Sequence, residues 1–298
     1  MSYCIKNICI ATCLLCINIP AVCQGIPETS GFIKAGSLLN IYYKSTGAGK
    51  PVILLHAGLQ DNRMWDEQLK ALAPAYRVIT IDLPGHGKTI GVDTVILIAD
   101  VIKTVMDSLN IQEASVMGLS LGSVSATDFA LAYPQKVEKL ILVSPGLVGW
   151  QKHISLDTVS KQYFEANDRA YATKDSNIIA QQFTKTWCDG PNRKPSEVKQ
   201  SVRNYILQTT MKNVEVHHLT GWPNFSTLPA AERAGAIQCP VLIIHGDKDI
   251  QLIINISNFL HNTIKGSQQV IFPNVAHMLN MEVPGDLNRA LLKFLKGR

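Results

Sequence analysis

Short apolar runs alternating with helical patterns constrain this chain more than any other feature. Leu39–Tyr43, Val52–Leu55, Val78–Asp82, Ser115–Met117, Leu140–Val143, Val241–Ile244 and Gln269–Phe272 are β-rich, and several are apolar without a break. Unbroken apolarity marks strands buried on both faces, as in the middle of a parallel sheet. Helical periodicity lies between them, near Arg63–Leu72, Thr94–Leu109, Leu121–Tyr133, Ile250–Leu260 and Leu287–Phe294. Such alternation predicts an α/β fold with a mostly parallel open sheet, flanked by helices and joined by right-handed crossovers.

One interval breaks the rhythm. Leu147 to Gln238 holds no convincing strand but nine of the chain's aromatics, and Pro191, Pro195, Pro223 and Pro229 punctuate its helical stretches. A compact domain does not carry so long a stretch without elements of its own. The expected division is a core over 25–146 and 239–298 with a helical insertion over 147–238.

The first 24 residues form a third region. Lys6 is their only charge, an apolar run extends from Ile8 to Ile19, and small residues follow Pro20. That order is the order of a secretory signal peptide. The run is shorter than the roughly 20 residues needed to cross a bilayer, so no stable membrane span is expected. Cleavage near Cys23 or Gln24 would leave a secreted or periplasmic protein. The context Pro20-Ala21-Val22 is a poor match for lipid attachment at Cys23. Five of the seven cysteines fall in this leader, leaving Cys188 and Cys239, which make no disulfide framework and no zinc spacing.

Composition excludes two further classes. With 46% apolar and 17% charged residues the chain is globular rather than disordered. The formal charge of +5 is spread without a basic run, so no nucleic-acid partner is expected. Gly85-His86-Gly87-Lys88-Thr89 ends like a nucleotide-binding loop, but Asp82 stands where that loop requires its first glycine.

Chemistry concentrates in three places. Gly118-Leu119-Ser120-Leu121-Gly122 sets a serine between two glycines where a strand turns into a helix. The turn must be sharp to expose the hydroxyl, and the glycines let strand and helix approach closely. A serine nucleophile needs a base, and the base an orienting acid. His277, after the last strand, and Asp249, after the strand before it, lie where open α/β sheets gather their active-site groups. Asp247 is the competing acid, and His56 and His86 are competing bases.

Together these segments resemble the α/β-hydrolase superfamily, in the style of its enol-lactonase, arylesterase and perhydrolase-like members, across the whole chain after the leader. Leu54-Leu55-His56-Ala57-Gly58-Leu59 resembles the family's oxyanion loop, with Ala57 in place of the usual glycine. Arg63-Met64-Trp65, Asp82-Leu83-Pro84-Gly85-His86-Gly87, Gly246-x-x-Asp249 and His277 match the segments that follow. The resemblance implies Ser120 as nucleophile, Asp249 as acid and His277 as base, with the backbone amides of Leu59 and Leu121 as oxyanion hole. It also implies structural roles for His56 and His86, and a lid over 147–238. Trp150 and Trp187 are the lid aromatics singled out as substrate-binding. His217 and His218 lack a nearby acidic cluster and are assigned to surface or packing rather than metal.

The implied activity is hydrolysis of a small carboxylic ester or lactone, with no cofactor and no metal. The same triad serves carbon–carbon bond hydrolysis and perhydrolysis, and the fold can also serve as a ligand-binding receptor with little turnover. Serine rather than aspartate at position 120 argues against dehalogenase and epoxide-hydrolase chemistry. Neither the particular substrate nor the oligomeric state is legible.

Overall fold

The computed structural model describes residues 26–91, 96–220, 225–226 and 229–297. The leader expected over 1–24 lies outside them. Eight strands form one sheet: β1 (Glu28–Ala35), β2 (Leu39–Thr46), β3 (Pro51–Leu55), β4 (Arg77–Ile81), β5 (Ala114–Leu119), β6 (Val137–Val143), β7 (Val241–Gly246) and β8 (Gln268–Phe272). Their spatial order is β1-β2-β4-β3-β5-β6-β7-β8. From β4 onward every pairing is parallel, whereas β1 and β2 add an antiparallel edge. β5 and β7 are buried along their entire length, as their unbroken apolarity requires.

The sequence pattern missed β1. Its residues, ETSGFIKA, are mostly exposed and only Ile33 is fully buried, so a strand at the sheet margin gives little alternating signal. Pairing with β2, through a turn at Gly36 with φ +65°, holds it in place.

The helices follow α1 (Asp66–Leu72), α2 (Ile98–Ser108), α3 (Leu121–Ala132), α4 (Thr158–Ala172), α5 (Ser176–Phe183), α6 (Gln200–Thr220), α7 (Gln251–Thr263) and α8 (Pro284–Lys296). In α2, Ile98, Val101, Ile102, Val105 and Met106 make one buried stripe at helical spacing. Two apolar clusters flank the sheet. One joins it to α2, α3 and α7, the other to α1 and α8.

The second cluster also contains Ile179, Phe183, Val202, Ile206 and Val214 from the segment between β6 and β7, beside Leu59, Met64 and Trp65. The helices of that segment are thus bonded into the core. Asp157 and Asp175 cap α4 and α5, accepting from the free backbone amides of the first turns. A π-helical turn, Thr184–Asp189, continues α5 and stops at Gly190 with φ +80°. The segment holds one short strand the sequence did not suggest, Phe225–Ser226, paired in parallel with Ile96–Leu97 away from the main sheet. No helix among the described residues is long and apolar enough to cross a membrane.

Candidate active site

Ser120 occupies the junction between β5 and α3 with φ +54° and ψ −112°, a conformation that L-residues rarely adopt. The flanking glycines make it feasible. A Cβ on Gly118 would stand 2.0 Å from the Gly122 carbonyl oxygen, and one on Gly122 would stand 2.0 Å from the Leu55 carbonyl oxygen. The Ser120 N–H donates to the Val143 carbonyl at 3.1 Å, and the N-terminus of α3 faces the serine. That helix end favours negative charge developing nearby.

Asp249 and His277 meet at the next strand ends. His277 Nδ1 lies 2.8 Å from Asp249 Oδ2, and each side chain is only 1% exposed. Asp249 Oδ1 also accepts from the Ile250 N–H at 2.8 Å. Gly246 permits the approach, since a Cβ there would lie 2.1 Å from the Val275 carbonyl oxygen, two residues before His277. Asp247 does something else: half-exposed, it accepts from the Asn274 N–H at 2.6 Å and supports the loop. Geometry therefore separates the two aspartates, and only Asp249 is bonded to the imidazole.

His277 Nε2 is buried and has no hydrogen-bond partner among the described residues. It is not bonded to Ser120 Oγ in this structure, a looseness common in ligand-free hydrolytic sites. Ser144, which the sequence reading missed, ties the parts together. Its N–H donates to the Ile244 carbonyl at 2.7 Å, and its hydroxyl donates to the His277 carbonyl at 3.1 Å. With the Ser120 bond to Val143, the ends of β5, β6 and β7 and the His277 loop form one connected edge.

The loop after β3 passes beside this edge, and a Cβ on Gly58 would lie 3.8 Å from Leu121 Cβ. Leu59 is buried, with φ +55°. No hydrogen-bond acceptor engages the Leu59 or Leu121 N–H among the described residues. Ala57 is accommodated with 1% exposure, its N–H donating to the Met64 sulfur at 3.3 Å.

Three histidines prop this loop. The Leu83 N–H donates to His56 Nε2 at 2.9 Å, so His56 carries its proton on Nδ1 and donates to the Ala57 carbonyl at 2.7 Å. His86 packs against His56 at 5.1 Å and against His217 at 5.0 Å between ring centroids. Burial pushes all three toward the neutral form, His86 most strongly. His56 and His86 are thus committed to backbone carbonyls, and His217 donates to the Gly85 carbonyl at 2.7 Å as a packing residue. Asn213, one helical turn before His217, donates to the Leu59 and Gln60 carbonyls and accepts from the Gly87 N–H.

Of the two tryptophans singled out, Trp187 comes to the site, its ring centroid 4.6 Å from that of His277. Trp150 is half-buried on a short 3-10 turn and packs against the cluster around α2, α3 and α7, sharing no ring contact with His277 among the described residues. Cavities of about 760 and 440 Å³ lie among the helices between β6 and β7, and neither is lined by Ser120, Asp249 or His277. Bonding geometry, rather than either hollow, marks the candidate site. Both described cysteines are free thiols, with burial pushing Cys239 up to about 11 and Cys188 further. No group of three or more His, Cys, Asp or Glu among the described residues is placed to hold a metal ion.

Residues 50–284 match the family described as the alpha/beta hydrolase fold, and the chain belongs to that family. It is an α/β-hydrolase enzyme, with relatives named as hydrolases and esterases. A 2-hydroxy-6-oxononadienedioate/2-hydroxy-6-oxononatrienedioate hydrolase from Paraburkholderia phymatum is 27% identical over 275 residues, covering 88% of this chain and 93% of its own. Carboxylesterase YbfK of Bacillus subtilis is 27% identical over 256 residues, covering 83% of this chain and 80% of its own. Among solved structures, a bromoperoxidase from Bacillus anthracis superposes with a TM-score of 0.73 at 24% identity, over 90% of this chain and all of the other.

Proposed function

We propose that this enzyme is a serine hydrolase cleaving a small carboxylic ester or lactone through an acyl-enzyme. The observation that carries the reading is the buried Asp249–His277 pair, with Nε2 left to accept a proton, at the sheet edge that bears Ser120. His277 takes the Ser120 hydroxyl proton on Nε2 as Oγ bonds to the substrate carbonyl carbon. Asp249 holds the ring orientation and stabilises the imidazolium. The Leu59 and Leu121 amides receive the oxyanion, at about 3–4 kcal/mol per donor in comparable sites. When the carbon–oxygen bond breaks, His277 returns the proton to the leaving alcohol. Water then repeats the sequence and frees the acid, without cofactor or metal.

The helices over 147–238 act as a lid that selects substrate, with Trp150 and Trp187 among its aromatic surfaces. The leader at 1–24 supports a place of action outside the cytoplasm, which mass spectrometry of the N-terminus of the exported protein would test.

A second reading, hydrolysis of a carbon–carbon bond beside a ketone, draws on the names of the relatives that act on oxo-dienoates. The deciding experiment is turnover of a chain-length series of p-nitrophenyl esters and of a 2-hydroxy-6-oxodienoate by the wild type and Ser120→Ala. Burst release followed by steady ester turnover, lost in Ser120→Ala by a factor of roughly 10⁴ or more, supports the esterase reading. Turnover of the dienoate alone replaces it with the second.

A further inference from the structure

Trp187 lies on the imidazole that the proposed mechanism charges, and the chain spends several buried groups on keeping it there. The ring centroids of Trp187 and His277 are 4.6 Å apart with planes tilted by 46°. Phe164 and Phe183 stand behind the indole at 6.2 and 6.4 Å. The indole reaches this position because α5 widens into the π-helical turn Thr184–Asp189, closed by the Gly190 N–H donating to the Lys185 carbonyl. π-Turns cost regular hydrogen bonding and recur where a side chain must be aimed. Here the loosened turn is pinned from several sides. Thr184 Oγ1 donates to the Ala180 carbonyl, Thr186 Oγ1 donates to Asn167 Oδ1, and Arg203 grips the Asp189 carboxylate with two nitrogens at 2.7 and 3.1 Å.

The strongest restraint is Arg193, whose side chain is 4% exposed. Its guanidinium donates to the Cys188 and Asp189 carbonyls at 2.6 and 2.7 Å, which belong to the turn carrying Trp187. The same group donates to the Asn274 carbonyl at 3.1 Å and to both oxygens of Glu282 at 2.6 and 3.0 Å. Asn274 precedes His277 by three residues and Glu282 follows it by five. One buried cation thus bolts the tryptophan-bearing turn to both sides of the histidine-bearing loop. Gly190 adds a close backbone approach, since a Cβ there would lie 2.9 Å from Ala276 Cβ.

We infer that Trp187 is a positioning residue for His277: its ring holds the imidazole in register and stabilises the imidazolium formed as Ser120 is acylated and again as water frees the acid. The inference rests on the proton-transfer role assigned to His277 above. An aromatic face near a cation is attractive, and more so when both are removed from water. The proposed mechanism places a proton on His277 in the transition state, so the contact strengthens as the proton arrives and acts on kcat rather than on substrate affinity.

The test compares Trp187→Phe and Trp187→Leu in the full chain, using kcat and KM for p-nitrophenyl acetate and butyrate. Trp187→Leu keeps an apolar filling but no π face, and is expected to lower kcat about three- to thirtyfold with KM changed less than about twofold. Trp187→Phe keeps a smaller face and is expected to recover most of that loss. Equal losses in the two variants, or a KM rise that grows with acyl length at constant kcat, would overturn the inference in favour of a steric wall.

A second readout needs no turnover. The downfield proton resonance of the His277 Nδ1–H, identified by its absence in His277→Asn, feels the indole ring current and must move in Trp187→Leu. A resonance unmoved by that change overturns the stacking itself. Undiminished hydrolysis by Ser120→Ala would instead sink the triad reading while leaving the resonance shift intact, so the two failures are distinguishable.

Discussion

Ser120 has a strained backbone, and the cost is met by its neighbours. A non-glycine residue held at φ +54° and ψ −112° costs about 1–3 kcal/mol and persists only where surroundings leave it no alternative. Gly118 and Gly122 supply the room, so Gly122→Ala drives a methyl into the Leu55 and His56 carbonyls, 2.0 and 2.8 Å away. We expect that change to destabilise the protein by about 3 kcal/mol or more, seen as a lower urea midpoint. The buried Cys188 thiol, held protonated by burial, is expected to react with a disulfide reagent only on unfolding, and Cys239 to react first in the folded protein. At this scale the sequence marked Ser120, Asp249 and His277, because each follows a recognisable strand end, and the structure bonds Asp249 to His277. The sequence was silent about Ser144 and Arg193. A serine and an arginine are ordinary in loops, and their partners lie 133 and 89 residues away along the chain. Trp187 was picked out for its aromatic surface, but nothing local says that a π-turn aims it at His277.

Among the elements, α6 ties the helical segment between β6 and β7 to the core. Its inward face carries Val202, Ile206 and Val214, and beside them Thr210, Asn213 and His217, all buried. Thr210 accepts from Gln60 Nε2 at 2.9 Å, and Asn213 joins the Leu59 and Gln60 carbonyls to the Gly87 N–H. Asn213→Ala leaves these buried groups unmatched, at about 1–3 kcal/mol, and frees the loop that bears the Leu59 amide. A fall in both thermal midpoint and kcat is the expected result. Removing one partner of the Arg193–Glu282 pair strands a charge where side chains are only 4% and 7% exposed. Arg193→Met is expected to cost about 3–5 kcal/mol by chemical denaturation. Central strands were readable as apolar runs buried on both faces, and helices such as α2 from one apolar face. The α6 face was not, since a mixture of Thr, Asn, His and Val at helical spacing looks like surface until its partners are known.

Across the whole molecule, the stacked histidines set a lower limit to the pH of stability. His56, His86 and His217 all have folded pKa values depressed below 6.5, chiefly by burial, with nearby Asp61 and Asp82 opposing the shift at His56. Below about pH 6.5 the unfolded chain therefore binds protons that the folded chain refuses. Stability is complete above that pH and is lost as pH falls, by up to about 1.4 kcal/mol per pH unit for each histidine. The thermal midpoint should drop between pH 6.5 and 5, and His86→Asn should flatten the slope. Asp61, whose arginine partner holds it below 3.8, adds a further loss only at lower pH.

The strand order has a consequence for the time at which the site is complete. β6 and β7 are neighbours, with Val143 opposite Ile244, yet the entire helical segment lies between them in the chain. Synthesis delivers Ser120 first, Asp249 much later and His277 last. A nascent chain halted between α3 and β8 carries Ser120 without His277. On the proposed mechanism, such a polypeptide has no base for Ser120 and gains hydrolytic activity only once His277, beyond the last strand, is in place.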